Sequence, residues 1–428
     1  MYSTRTDHNI HRLSLIVTFV LTFLLCEAQA NVNAKTSISG KVNILNVDTC
    51  KPAHICEIVT NVSRAAWNVA IPKIRGLPII HNDILVVAAN HGAIALNRKT
   101  GKILWSKDTL APDADPNVSG NNVKRFQMFS PVVVSDILLL ATSEELTGHV
   151  FGLDLHTGAV KWSYVSAKTF ATEETRGRIL NRPIIWGNKA IFRTGRGLTA
   201  LRTSDGTELW NRAFDPNGMV PVAVSGLPAS DSHAIYFNSD FGVAYAIDPT
   251  DGHIIWSRQT AGLDIQRVAN VSKISMTFTA CHPLRIHDKL IVTDGVGNIY
   301  AKRATDGSSL WQTKSGLAFQ LLSAGNRIYA GTENGFIEID ETSGKIVREH
   351  HVAKGVIGFA IKGDNAYLGA VPKGWESFSL SQWKTREKFD TFHVSTLTIH
   401  LNRLYLSGYT GQSRETGELR AYDLDAKH

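Results

Sequence analysis

The side chains best equipped for chemistry are few. Glu173 and Glu174 stand side by side, with Arg176 and Arg178 just beyond, in the segment ATEETRGR. Adjacent carboxylates could offer oxygen ligands to calcium, and arginines pair well with an anionic ligand. On extended chain, however, neighbouring side chains point to opposite faces, which works against a shared metal. His282 and His287 are five residues apart, whereas zinc needs three or four converging ligands. The pair therefore reads as a loop histidine and a strand histidine, and no metal site is expected. The sequence holds no HExxH, no Gly-x-Ser-x-Gly elbow and no phosphate-cradling glycine loop. A Ser-His-Asp site assembled from distant loops would leave no such motif.

These residues belong to a chain that reads as exported. The apolar run from Leu13 to Cys26 is too short to span a bilayer, follows Arg5 and Arg12, and leads to Ala28-Gln29-Ala30, a signal-peptidase pattern. Cleavage is expected after Ala30, leaving a periplasmic or secreted protein with no transmembrane span. Leu25 stands before Cys26 where a lipid-anchored cysteine would need a small residue. In an oxidising compartment Cys50 and Cys56 are expected to pair, closing a short loop that restricts the unfolded chain by roughly 2 kcal/mol. Cys281, in the apolar stretch FTAC, is left as a buried thiol. Net charge is +7, which favours anionic partners, but the basic residues are scattered without a run, and specific nucleic-acid binding is excluded on that ground.

The element that must position these residues is a repeat. The segments NRKTGKILW, DLHTGAVKW, RTSDGTELW, DPTDGHIIW and RATDGSSLW each place a glycine (Gly101, Gly158, Gly206, Gly252, Gly307) four residues before a tryptophan (Trp105, Trp162, Trp210, Trp256, Trp311). Glycine suits a tight turn that needs positive φ, and Asx or Thr side chains bond nearby backbone groups. A sixth copy, Asp340 to Gly344, carries Arg348 in place of tryptophan, and a seventh, SQWKTREKF, is degraded. Two more apolar or alternating stretches precede each turn, so each unit supplies four short strands, a propeller blade. The eighth blade is split: LTIHLNRLYLSGYTG and ELRAYDLD come from the C-terminus, while RAAWNVAI around Trp67 is an outer strand without a blade of its own. Pairing the two ends gives an all-β, eight-bladed β-propeller of four-stranded antiparallel blades over 61–428. Residues 31–60 form a lead-in. The tryptophans read as structural wedges against the neighbouring blade.

The repeat resembles that of the pyrroloquinoline-quinone (PQQ) type, quinoprotein-like propeller superfamily. The resemblance implies one of two roles. One branch is the quinone-dependent dehydrogenases, which use PQQ with calcium. The other is the non-catalytic BamB outer-membrane assembly factors. Size, and the lack of an adjacent Cys-Cys pair, look like BamB. Arg176 also matches a Leu-Arg-Gly type stretch whose arginine helps bind the barrel-forming partner; Thr175 departs from the leucine. The resemblance thus implies a monomeric, cofactor-free scaffold binding a protein partner of the outer-membrane assembly machinery, with a PQQ-type oxidoreductase as the alternative. In a propeller, connections from an outer strand to the next inner strand gather at one mouth of the channel. That rule selects Arg75, Arg125, Gln127, Glu173, Glu174, Arg176, Arg178, Cys281, His282, Gln320 and His393 as the residues for partner or ligand binding.

Overall fold

The computed structural model describes residues 65–72, 74–89, 92–107, 110, 127–143, 147–166, 179, 182–194, 197–213, 228–238, 243–259, 282–294, 297–353, 355–370, 374–389, 393–409 and 416–424. The expected signal peptide, the Cys50 and Cys56 pair and Cys281 lie outside them. The described strands form eight antiparallel sheets in a ring, an eight-bladed β-propeller. We number the blades in chain order: blade 1 is 74–107, blade 2 is 127–165, blade 3 is 184–213 and blade 4 is 229–259. Blade 5 is 284–314, blade 6 is 318–351 and blade 7 is 356–389. Blade 8 joins three C-terminal strands, 393–423, to the first strand, Ala65–Pro72. That strand pairs with Thr416–Asp423, setting Trp67 opposite Ala421 and Ile71 opposite Gly417. In blade 2 the inner strand comes in two pieces, Gln127–Met128 and Val132–Val134, both paired with Ile137–Ser143.

Second and third strands read as near-continuous apolar runs because both their faces are covered. Ile84–Ala89 and Gly92–Asn97 of blade 1, for instance, are buried along most of their length. Outer strands alternate instead, as in Val160–Val165. The buried side chains fall into eight clusters, each shared by two neighbouring blades. The core is thus eight seams, and no blade has one of its own.

At six seams the same clasp recurs. The turn glycine of one blade has φ between 71° and 81°, and a Cβ added there would stand 2.4 to 2.8 Å from an atom of the preceding blade. The indole of that blade lies flat against the glycine: Trp67 on Gly101, Trp105 on Gly158, Trp162 on Gly206, Trp210 on Gly252, Trp256 on Gly307 and Trp311 on Gly344. Each indole N–H then donates to the first carbonyl of that turn, at 3.1 Å for Arg98, 2.9 Å for Leu155, 3.2 Å for Thr203, 3.3 Å for Pro249 and 2.9 Å for both Ala304 and Glu341. Glycine is required twice, for its φ and for the missing Cβ. Trp67, from the N-terminal strand, closes the ring on blade 1 with this same clasp.

Blade 7 breaks the pattern in a reciprocal way. Trp383 occupies the turn position that glycine holds elsewhere, with φ 52°, and Arg348 of blade 6 occupies the position of the wedge. The guanidinium lies 4.4 Å from the Trp383 ring and donates to Ser381 O, while the Trp383 indole donates back to Glu349 O at 3.0 Å. Charged groups tie other seams. Glu341 of blade 6 is buried and accepts from Lys289 at 3.0 Å, with His287 also at 3.0 Å, both from blade 5. Burial works to raise the Glu341 carboxyl, but these two hydrogen bonds more than offset it and hold the group below its ordinary value.

Trp67→Ala is expected to cost about 3–5 kcal/mol and to lower the melting temperature in a calorimetric scan, because it removes the wedge that closes the ring. An unchanged melt would show that closure does not depend on the clasp. Glu341 contributes stability that is present above the ordinary carboxylate range and is lost as pH falls through its lowered folded value. Glu341→Gln should therefore flatten the acid limb of a stability-versus-pH curve from denaturant melts.

Candidate functional site

In blades 1, 2, 3 and 5 a buried proline lies within or just before the inner strand: Pro78, Pro131, Pro183 and Pro283. Proline suits this place because the strand edge toward the channel has no ladder partner for an N–H. The residue before each is held in extended conformation. These pre-proline residues are Leu77, Ser130, Arg182 and His282. Two of them meet directly, and the other two feel one another's charge. Ser130 Oγ accepts from Leu77 N at 2.7 Å across the seam between blades 1 and 2. A Cβ on Gly76, whose φ is 69°, would meet that hydroxyl at 2.4 Å, which is why the position is glycine.

Arg182 and His282 bring charge to this set. Arg182 is partly buried, desolvation lowers its guanidinium, and no ion pair joins it to an acid among the described residues. His282 keeps an exposed surface, yet the surrounding wall is close enough that desolvation, followed by the positive field of Arg182, lowers its imidazole to about 4. At neutral pH the site thus presents a fixed cation beside a neutral imidazole that can donate or accept one hydrogen bond. Such an arrangement can receive a carboxylate or a backbone carbonyl.

Of the residues selected from sequence, His282 stands in this set. Arg125, Glu173, Glu174, Arg176 and Arg178 lie outside the described residues. Arg75, Gln127 and His393 fall on the strands Ile74–His81, Gln127–Met128 and His393–His400 at the inner edge of blades 1, 2 and 8. Gln320 is engaged elsewhere: its amide accepts from Phe359 N at 2.7 Å and donates to Phe359 O at 3.0 Å, bridging blade 6 to the inner strand of blade 7. His287 sits in a turn with φ 50° rather than on a strand, bonded to Glu341. Arg182 was not selected, although its sequence signal, an X-Pro pair at the start of an inner strand, is the one that His282 carries.

Acidic groups gather on the opposite end, at the turns. There Asp248, Asp251 and His253 form the one group of three potential metal ligands among the described residues. Their atoms are already occupied: Asp248 caps Thr250 N at 2.6 Å, and Asp251 takes His253 N at 3.1 Å and its Nδ1 at 2.7 Å. A PQQ-type cofactor would need cations for its carboxylates and several oxygens for calcium. Arg182 fits the first need. Among the described residues no carboxylate beside it meets the second.

The fold is a propeller whose blades are held at six seams by a tryptophan-glycine clasp, with Arg182 and His282 near one another before inner strands. The family described as outer membrane protein assembly factor BamB matches residues 52–258. BamB of Moranella endobia is 23% identical over 273 residues, covering 62% of this chain and 64% of that protein. BamB of Yersinia pestis is 25% identical over 251 residues, 56% of each. Both matches span less than two thirds of the relative's own length. The crystal structure of BamB from Moraxella catarrhalis superposes with a TM-score of 0.60 at 16% identity, covering 84% of this chain and 99% of that one. A europium-containing methanol dehydrogenase gives 0.60 at 12% identity, covering 85% and 94%. The chain is an eight-bladed β-propeller, and over residues 52–258 its sequence is similar to the BamB family.

Arg182→Gln is expected to raise the His282 imidazole while leaving it below its ordinary value, because desolvation, the larger cause, remains. An NMR titration of the histidine rings reads this directly; a return to the ordinary value would mean that the arginine field dominates.

Proposed function

We propose that the protein is an exported, non-catalytic binding propeller of the cell envelope, which docks a protein partner of outer-membrane assembly at the channel mouth. One observation carries the reading: the residues that define the repeat are all consumed in holding blades together. Trp, Gly and Asx each have a structural partner, and the mouth is left to residues outside the repeat. The family match to BamB supports the partner class. Arg176 is proposed as a contact by its place in the BamB-like stretch, and Arg182 with His282 as a carbonyl- or carboxylate-binding pair.

The PQQ-dependent reading draws on Arg182, which could meet an anionic cofactor, and on the shared fold with a methanol dehydrogenase. Cross-linked capture from bacterial envelopes with the full chain as bait separates the two. A specific envelope partner whose apparent affinity falls at least ~10-fold with Arg176→Glu is expected. Recovery of no partner, together with a raised melting temperature and dye reduction on adding PQQ and calcium, would replace the scaffold with the enzyme.

A further inference from the structure

The seam between blades 6 and 7 is the one described seam at which the indole-on-glycine wedge is exchanged for a charged pair, Arg348 over Trp383. Beside that exchange sits a second departure. His350, on the outer strand Ile346–His351 of blade 6, places Nε2 2.7 Å from Oε1 of Glu376, on the strand Trp375–Ser379 of blade 7. The Glu376 side chain is only 6% exposed. A buried carboxylate needs a counter-charge or a full set of donors.

The cations around it are mostly committed elsewhere. From blade 6, Arg348 binds Glu338, and Arg327 binds Glu338 at 3.0 Å and Asp340 at 2.5 Å. From blade 7, Arg386 binds Asp364 at 2.8 Å, and Thr385 Oγ1 donates to Glu376 Oε2 at 3.1 Å. Lys388 stands 3.7 Å from Glu376 with its side chain 68% exposed, so water screens it. The imidazole of His350 is the nearest cationic group that Glu376 has, and it also packs 4.6 Å from the Phe378 ring. Histidine is the side chain that ordinarily changes charge between pH 5 and 8.

We infer that the seam between blades 6 and 7 is a pH-responsive joint: protonated His350 supplies the counter-charge that docks Glu376, and the joint loosens as the imidazole becomes neutral. The neighbouring seam shows what is missing. Between blades 5 and 6, Glu341 also meets a histidine, His287 at 3.0 Å, but Lys289 holds it at 3.0 Å with a charge that persists across this pH range, and Trp311 keeps its clasp on Gly344. That seam should respond less over the same pH range, and it serves as an internal comparison.

The test is hydrogen exchange by mass spectrometry on the full chain at pH 6 and pH 8, corrected for intrinsic exchange. Peptides covering Ile346–His351 and Lys384–Phe389 should lose protection on the order of tenfold at pH 8. Peptides covering Ser309–Lys314 should change less, because Lys289 keeps its charge. In His350→Gln, which keeps a neutral donor, the two pH values should give equal protection. Uniform behaviour of all seams, or an undiminished pH effect in His350→Gln, would overturn the inference. Should that variant not fold, an NMR titration of the wild-type rings decides: a His350 ring that titrates while protection across the seam stays constant overturns it equally.

Discussion

The ring depends on one contact repeated around it: an indole face laid on a glycine that has no Cβ. The contact joins three requirements in one place. The turn needs positive φ, the wedge needs a flat bare surface, and the indole N–H needs an acceptor, which the first turn carbonyl provides. Because every apolar cluster is shared between two blades, a blade removed from its neighbours exposes both of its faces. Stability is therefore a property of neighbouring pairs, and the chain ends must meet for the last pair to form. The N-terminal strand meets that need, bringing Trp67 to Gly101 as though it belonged to a continuous repeat.

The exchange at blade 7 shows which part of the contact is negotiable. A large flat ring must fill the seam, but it can come from either side. With Trp383 in the turn, a second indole in the wedge position would overfill the space, and Arg348 stacks there instead. Its guanidinium is flat like an indole and can donate to the turn as an indole does. The aromatic group of Phe336, Phe378 and Trp383 packs tightly behind it, with ring centroids 5.1 to 5.8 Å apart. The charge that arginine introduces is met by Glu338 at its other end.

The blades were legible in sequence because physics restricts their residues to few types. Where an indole lies on the turn only glycine fits beneath it, a large ring fills the seam, and the spacing of four between them is fixed by strand geometry. Even the split eighth blade could be read, since Trp67 is a wedge without preceding strands. The site was legible only in part. Gln320 was selected as a polar group at the mouth, yet its amide spans the seam to Phe359; a sequence does not say whether an amide faces water or a neighbouring backbone. His282 and Arg182 share one signal, the X-Pro pair before an inner strand, but only the histidine stood out by its chemistry. His287 looked like a strand residue because its neighbours are apolar, although its φ of 50° belongs to a turn.

That division between blade and mouth bears on where specificity can reside. Residues fixed by the clasp cannot vary without opening a seam, so they are unavailable for choosing a partner. The connections from outer to inner strands are under no such constraint. Four of them, at 108–126, 166–183, 214–228 and 260–283, are long, while those at 315–317, 352–355 and 390–392 are short. The BamB family match, at 52–258, takes in the first three long connections and stops before the fourth. Within that match, Arg182 stands near the end of the second long connection. A propeller arranged in this way can keep its seams constant while one side of its mouth changes partner.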